Sequence, residues 1–153
     1  MKDIKNILFV CTGNSCRSIM AEAYLKKRAR DEGLAIEVRS AGTLGIEGSR
    51  PTTEALRVLE EQGVKTDGYG SKALTGDLIK WADLVLVMEP SHRTAVISRM
   101  PEAADKTKLL GEFNSEERYL IIPDPIGQPI GFYRKVFELI QHPAEELIKW
   151  LKK

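Results

Sequence analysis

The stretch Ile7-Leu8-Phe9-Val10 is apolar without a break and runs straight into Cys11. A strand with one wet face alternates apolar and polar residues. An unbroken run of strand formers instead predicts burial on both faces, as in a parallel sheet covered by helices. Leu84-Val85-Leu86-Val87-Met88 is a second such run. Ile36-Glu37-Val38, just before Ser40-Ala41-Gly42, predicts a shorter strand, and Thr107 to Leu110 a fourth. Helical patterns lie between them: Ser18 to Glu32, stopped by Gly33; Thr52 to Gln62, stopped by Gly63; then Thr75 to Trp81 and Ser91 to Arg99. A last apolar stripe runs from Phe132 to Leu151, and Pro143 is expected to kink or divide that helix. Strands alternating with helices predict right-handed crossovers and a doubly wound α/β sheet.

The 153 residues fit one domain spanning 1–153, long enough to bury a core. A formal net charge of +1 gives no bulk attraction to nucleic acid or to an anionic membrane, so any anion binding must be local. The N-terminal apolar run is too short for a signal or a membrane span, which predicts a soluble, cytoplasmic protein. Both cysteines, Cys11 and Cys16, fall in one loop. Two cysteines do not make a disulfide scaffold; close thiols in a reducing compartment point to reactivity or to metal. Neither cysteine has partner cysteines, and His92 and His142 show no ligand spacing, so no metal is expected.

Residues Cys11 to Ser18 read CTGNSCRS, with a buried strand leading in and a helix leading out. In open α/β sheets ligands bind beyond the carboxyl ends of the strands, where this loop sits. A helix start offers unpaired N–H groups and the positive end of a dipole. Gly13 and Asn14 tolerate unusual backbone angles that turn successive N–H groups inward around an anion. Thr12, Gly13, Asn14, Ser15 and Cys16 would then form the cradle, with Arg17 adding a planar fork for two phosphate oxygens. The same field favours the thiolate form of Cys11, the nucleophilic form. Ser18 is placed to donate to that sulfur. A cysteine closing a buried strand is most often a small core residue. Here the strand, the glycine, the arginine, the hydroxyl and the helix all agree on an anion site instead. A nucleotide P-loop would need a lysine before the final hydroxyl residue, and none is present.

CTGNSCRS near the start, Ser40-Ala41-Gly42 after the second strand and Asp124-Pro125 late in the chain resemble the low-molecular-weight protein tyrosine phosphatase family. The resemblance spans essentially the whole chain. It implies a four-stranded parallel sheet flanked by helices, no metal and no organic cofactor. It also implies Cys11 as nucleophile, Arg17 as phosphate clamp and Asp124 as general acid. Asn14, Ser18 and Ser40 would fix the loop, and Cys16 would be the cysteine able to form a reversible disulfide with Cys11. The partners implied are a phosphorylated protein and an oxyanion such as inorganic phosphate.

Chemistry supports Asp124 separately. A carboxyl beside a phosphate dianion can hold its proton, give it to a leaving oxygen and later take one from water. By itself an Asp-Pro pair reads as a turn. Departures from the family pattern bear on substrate. Ile19 replaces the usual proline after the Arg-Ser pair. No aromatic stands just after Asp124-Pro125, where Ile126-Gly127 lie, or within Thr43 to Arg50, where walls for a phosphotyrosine ring are expected. Ser15 stands where tyrosine phosphatases carry a bulky aliphatic, and a small hydroxyl residue there resembles the protein arginine phosphatases of the same family. Phosphotyrosine is the expected substrate on family breadth, with phosphoarginine as the alternative. Arsenate reduction would need resolving cysteines on a later segment, and none follows Cys16. A non-catalytic phosphate-binding module would not need Cys11, Arg17 and Asp124 together. Among the remaining residues, His92 follows the third strand and could reach the rim of the site, but reads first as a solvated helix-start residue; Trp81 and Trp150 read as packing, and Lys26-Lys27-Arg28 as a solvated helix face. Tyr133 is near enough to the Asp-Pro loop to line the mouth.

Overall fold

The computed structural model describes residues 3–114 and 120–153. Four strands form one parallel sheet: β1 (Asn6–Cys11), β2 (Glu37–Gly42), β3 (Leu84–Val87) and β4 (Thr107–Leu109), in the order β2-β1-β3-β4. Five helices connect or follow them: α1 (Arg17–Asp31), α2 (Thr53–Glu61), α3 (Gly76–Trp81), α4 (Pro90–Arg99) and α5 (Ile130–Leu151). This is the doubly wound, four-stranded parallel architecture expected from the sequence.

Successive side chains of a strand point to opposite faces, and β1 follows this rule. Ile7 and Phe9 join the core beneath α1, α2 and α5, while Leu8 and Val10 join the smaller core beneath α3 and α4. All four are fully buried, as the unbroken apolar run requires. α1 sits in the larger core through Ile19, Met20, Ala23 and Leu25. Its first turn, which carries Arg17 and Ser18, is therefore held rigidly against the sheet.

Two local expectations change. β2 extends through Ser40, Ala41 and Gly42, whose residues pair with Phe9, Val10 and Cys11. The Ser-Ala-Gly triplet is thus strand, aligned with the end of β1. α5 runs unbroken through Pro143 for 22 residues. The missing N–H costs one helical hydrogen bond, and burial of Ile140, Pro143, Ala144 and Leu147 holds the helix through it. Short 3-10 turns at Pro101–Lys106 and Leu110–Phe113, on either side of β4, carry no clear periodic signal.

Candidate active site

β1 and β3 end side by side, and the loop from Cys11 to Cys16 lies over their carboxyl ends before α1 begins. The loop is tied to the rest of the fold on several sides. The Thr43 N–H donates to the Cys11 carbonyl at 2.9 Å, the Leu44 N–H to the Thr12 carbonyl at 3.0 Å, and the Thr52 N–H to the Ser15 carbonyl at 3.0 Å. Gly42 permits this close approach: a Cβ there would lie 2.7 Å from the Thr12 carbonyl oxygen.

Asn14 is fully buried, and its φ of +54° is the sole positive value at a non-glycine residue among those described. A left-handed conformation suits asparagine better than most residues, and its side chain offsets the cost by bonding. Nδ2 donates to Ser18 Oγ at 2.7 Å and to Ser40 Oγ at 2.9 Å, while Oδ1 accepts the Lys72 N–H at 2.8 Å. An amide nitrogen has two hydrogens and no lone pair to offer. Both serines must therefore accept from Asn14 and pass their own hydrogens outward. Ser40 donates to Glu22 Oε1 at 2.5 Å. Ser18 lies 2.9 Å from Cys11 Sγ, and the hydrogen count directs its O–H to that sulfur. The chain of bonds thus has a carboxylate at one end and Cys11 at the other.

Arg17 is 2% exposed, and its guanidinium meets two carboxylates. Nη1 donates to Glu89 Oε2 at 2.8 Å and to the Ile122 carbonyl at 2.9 Å, and Nη2 lies 3.7 Å from Asp124 Oδ2. Arg17 holds the Glu89 carboxyl below its ordinary range. Asp124 is 42% exposed, and its Oδ1 accepts the Ile126 N–H at 3.1 Å, so it is also the turn residue that an Asp-Pro pair suggests. A hollow of about 210 Å³ collects Cys11, Thr12, Gly13, Ser15, Cys16, Arg17 and Asp124, with the aliphatic side chains of Leu44 and Ile126 at its mouth. Asn14, Ser18 and Ser40 stand behind it rather than in it. Among the described residues, no aromatic lines this hollow.

Some assignments change. His92 is 2% exposed, not a solvated helix start. Its Nε2 lies 2.9 Å from Thr12 Oγ1, and burial with Arg17 nearby pushes its pKa down to about 4. α4 starts at Pro90, so His92 falls on the inward side of its first turn, directly after β3. Tyr133 does not line the mouth. It is 1% exposed, and its hydroxyl backs Cys16 Sγ at 3.8 Å. Burial pushes the Tyr133 hydroxyl up to about 12 and the Cys16 thiol up as well. Cys11 and Cys16 are both buried free thiols. The Lys26-Lys27-Arg28 cluster is ion-paired rather than simply solvated, to Glu22, Asp31, Glu32 and Glu145. Trp81 and Trp150 are packing residues, Trp81 beneath Arg39 and Trp150 edge-on to Phe113. Glu89 and Glu22 went unnoticed in the sequence. The available signal for Glu89 was its place one residue beyond Met88, at the carboxyl end of a central strand.

An anion cradle after β1, closed by a buried arginine and faced by a carboxyl, is the layout of a cysteine-dependent phosphatase. Residues 6–153 match the family described as low molecular weight phosphotyrosine protein phosphatase, and the chain belongs to that family. It is similar to a protein-arginine-phosphatase of Geobacillus stearothermophilus, with 41% identity over 92% of this chain and 95% of that one. The low molecular weight protein-tyrosine-phosphatase Etp of Escherichia coli K12 is 32% identical, over 97% of this chain and 95% of Etp. The crystal structure of a low molecular weight protein tyrosine phosphatase from T. tengcongensis superposes with a TM-score of 0.89 at 37% identity, covering 95% of this chain and 98% of that one. The enzyme class is accordingly that of a cysteine-dependent protein phosphatase.

Proposed function

We propose that this chain hydrolyses phosphorylated protein side chains through a phosphocysteine on Cys11. The observation that supports this best is the hollow in which Cys11, Arg17 and Asp124 face one another. The Cys11 thiolate attacks phosphorus, an S–P bond forms, and the bond to the leaving atom breaks as Asp124 gives that atom its proton. The Asp124 carboxylate then takes a proton from water, whose oxygen attacks phosphorus. The S–P bond breaks, the sulfur leaves as thiolate against the Ser18 O–H, and inorganic phosphate departs. Arg17 and the backbone of Thr12 to Cys16 hold the phosphoryl oxygens throughout. No metal or organic cofactor enters this scheme. The small net charge of +1 fits a protein substrate better than nucleic acid, and on this reading the protein works in the cytoplasm as a single domain.

Phosphotyrosine is the first substrate reading, in keeping with the family. Phosphoarginine is the second, favoured by Ser15 in the hollow, by aliphatic Leu44 and Ile126 at its mouth, and by the similarity to a protein-arginine-phosphatase. Parallel turnover of phosphotyrosine and phosphoarginine peptides by the wild-type protein and Ser15→Ile separates the two. If phosphoarginine is used, the isoleucine should cut its turnover about tenfold or more and spare phosphotyrosine. An unmoved ratio of the two rates removes Ser15 as selector. Failure of the wild-type protein to hydrolyse either peptide, or p-nitrophenyl phosphate, refutes the phosphatase reading.

A further inference from the structure

A second hollow, about 590 Å³ and so larger than the one at Cys11, lies away from the Cys11 loop. That volume falls within the range of small-molecule sites. Its floor includes Glu22 and Ser40, 7% and 5% exposed. Tyr69, Val64 and Leu78 give it an apolar side, with Ala23 below. Around them stand five cations, Lys26, Arg30, Arg39, Lys65 and Lys72, against two acids, Glu22 and Asp67. A chain of net charge +1 thus concentrates positive charge around one cavity. Arg39 is engaged by Glu37 and Trp81, and Lys26 by Glu22. The side chains of Arg30, Lys65 and Lys72 have no ion-pair partner among the described residues.

Two features connect this cavity to the active site. Glu22 on its floor is the far end of the bonded series Glu22–Ser40–Asn14–Ser18–Cys11. The Lys72 N–H, at its rim, is the donor to Asn14 Oδ1. Lys26 is shared between floor and wall: its Nζ lies 2.6 Å from Glu22 Oε2 and 5.2 Å from the centre of the Tyr69 ring.

We propose that this cavity is a regulatory site for small polyanions with a planar body, and that its occupancy is transmitted to Cys11 through Glu22, Ser40, Asn14 and Ser18. The coupling rests on the reading of Cys11 as nucleophile; the binding does not. A ring bearing several carboxylates or phosphates would lie against Tyr69 and pair with Arg30, Lys65 and Lys72. It would also draw Lys26 away from Glu22. The Glu22 carboxylate then relies more heavily on the Ser40 hydroxyl, and Asn14 shifts toward Ser40. Ser18 is left less firmly held, so its hydrogen bond to the Cys11 thiolate weakens. The expected sign is inhibition.

The test uses the full chain and benzene-1,3,5-tricarboxylate, a planar trianion, at constant ionic strength. Calorimetry should show one binding site that persists when orthovanadate saturates the Cys11 loop. The double variant Arg30→Glu, Lys65→Glu, at exposed positions outside the active site, should weaken binding about tenfold or more with basal p-nitrophenyl phosphate turnover and melting temperature unchanged. Should the reversal of charge disturb folding, Arg30→Gln, Lys65→Gln carries the same expectation at about threefold. The tricarboxylate should lower wild-type kcat/KM about twofold or more. Glu22→Gln should still bind while losing that response. Binding abolished by vanadate, or undiminished in the charge variants, overturns the site. Binding without any change in rate, or a response that survives in Glu22→Gln, overturns the coupling. A protein inactive on every phosphoester would instead refute the phosphatase reading, with calorimetry still deciding the site.

Discussion

The two halves of the active site are built in opposite ways. The Cys11 loop is closed: Asn14 and Ser18 are fully buried, and Asn14 makes three hydrogen bonds to three different segments. The Asp124 segment is open: its carboxyl is 42% exposed, and its described tethers are one bond to its own turn and a 3.7 Å approach to Arg17. The difference matches two kinds of work. On the proposed mechanism, the half that receives the phosphoryl group meets the same tetrahedral anion in every turnover, and preorganised donors there need no reorganisation. The half that handles the leaving group must admit side chains of different shape and then water. Stability should therefore be stored in the first half and adaptability in the second.

The most severe way to break the closed half is chemical. Cys11→Ser keeps the loop's shape but leaves a hydroxyl that stays protonated near neutral pH, so turnover should fall by about four orders of magnitude or below detection. Vanadate binding, followed by calorimetry, should survive. Substantial turnover by this variant would end the Cys11 assignment.

Asp124→Asn probes the open half. The asparagine oxygen can still accept the Ile126 N–H, so the turn stays and the melting temperature should not move. Alkyl-like phosphates should slow by about 10²–10³ and p-nitrophenyl phosphate much less, because nitrophenolate leaves without a proton. An equal loss for all leaving groups would assign Asp124 to phosphoenzyme hydrolysis or to structure alone.

Asn14→Ala tests where the stability resides. It strands Ser18, Ser40 and the Lys72 N–H and puts a poor residue at positive φ, at a cost of about 2–4 kcal/mol in urea unfolding. Asn14→Gly removes the same bonds but accepts the backbone angle, and should recover about 1 kcal/mol. If Asn14→Ala unfolds no more easily than Asp124→Asn, the contrast between the halves is wrong.

The smallest effect concerns His92. Its pKa is about 4 in the fold against an ordinary 6.5, so the folded state binds fewer protons across that window. As pH falls from 6.5 toward 4, the unfolded chain gains a proton that the folded one refuses, and stability declines. His92→Gln should flatten that part of the melting temperature–pH curve and leave the curve above pH 6.5 nearly parallel to wild type. An unchanged acid slope would mean that His92 is not the group responsible.

Legibility in the sequence follows the same division. Ile7 to Val10, CTGNSCRS and α1 were readable because strand, loop and helix are contiguous and each carries a local signature. The sheet followed from two unbroken apolar runs. Asp124 was readable only through its chemistry and its Asp-Pro neighbour. Glu22 was not readable, since nothing local distinguishes a helix-facing glutamate from a solvated one, and Glu89 and His92 carried only a positional signal, their place just beyond the third strand. β3 and α1 bring them to the site, and only the three-dimensional fold shows it. Pro143 misled for the converse reason: a strong local breaker was outweighed by the burial of its own helix.

Arg17 sits between Glu89 and Asp124. Its positive charge is shared with two carboxylates. A catalyst that grips its product as firmly as its transition state stalls after one cycle, and a bare buried guanidinium over a phosphate cradle would do that. On the proposed mechanism Glu89 is a counterweight: by sharing the arginine's charge it would let orthophosphate depart. That reading favours throughput over retention, and it predicts weak inhibition by orthophosphate that tightens in Glu89→Gln.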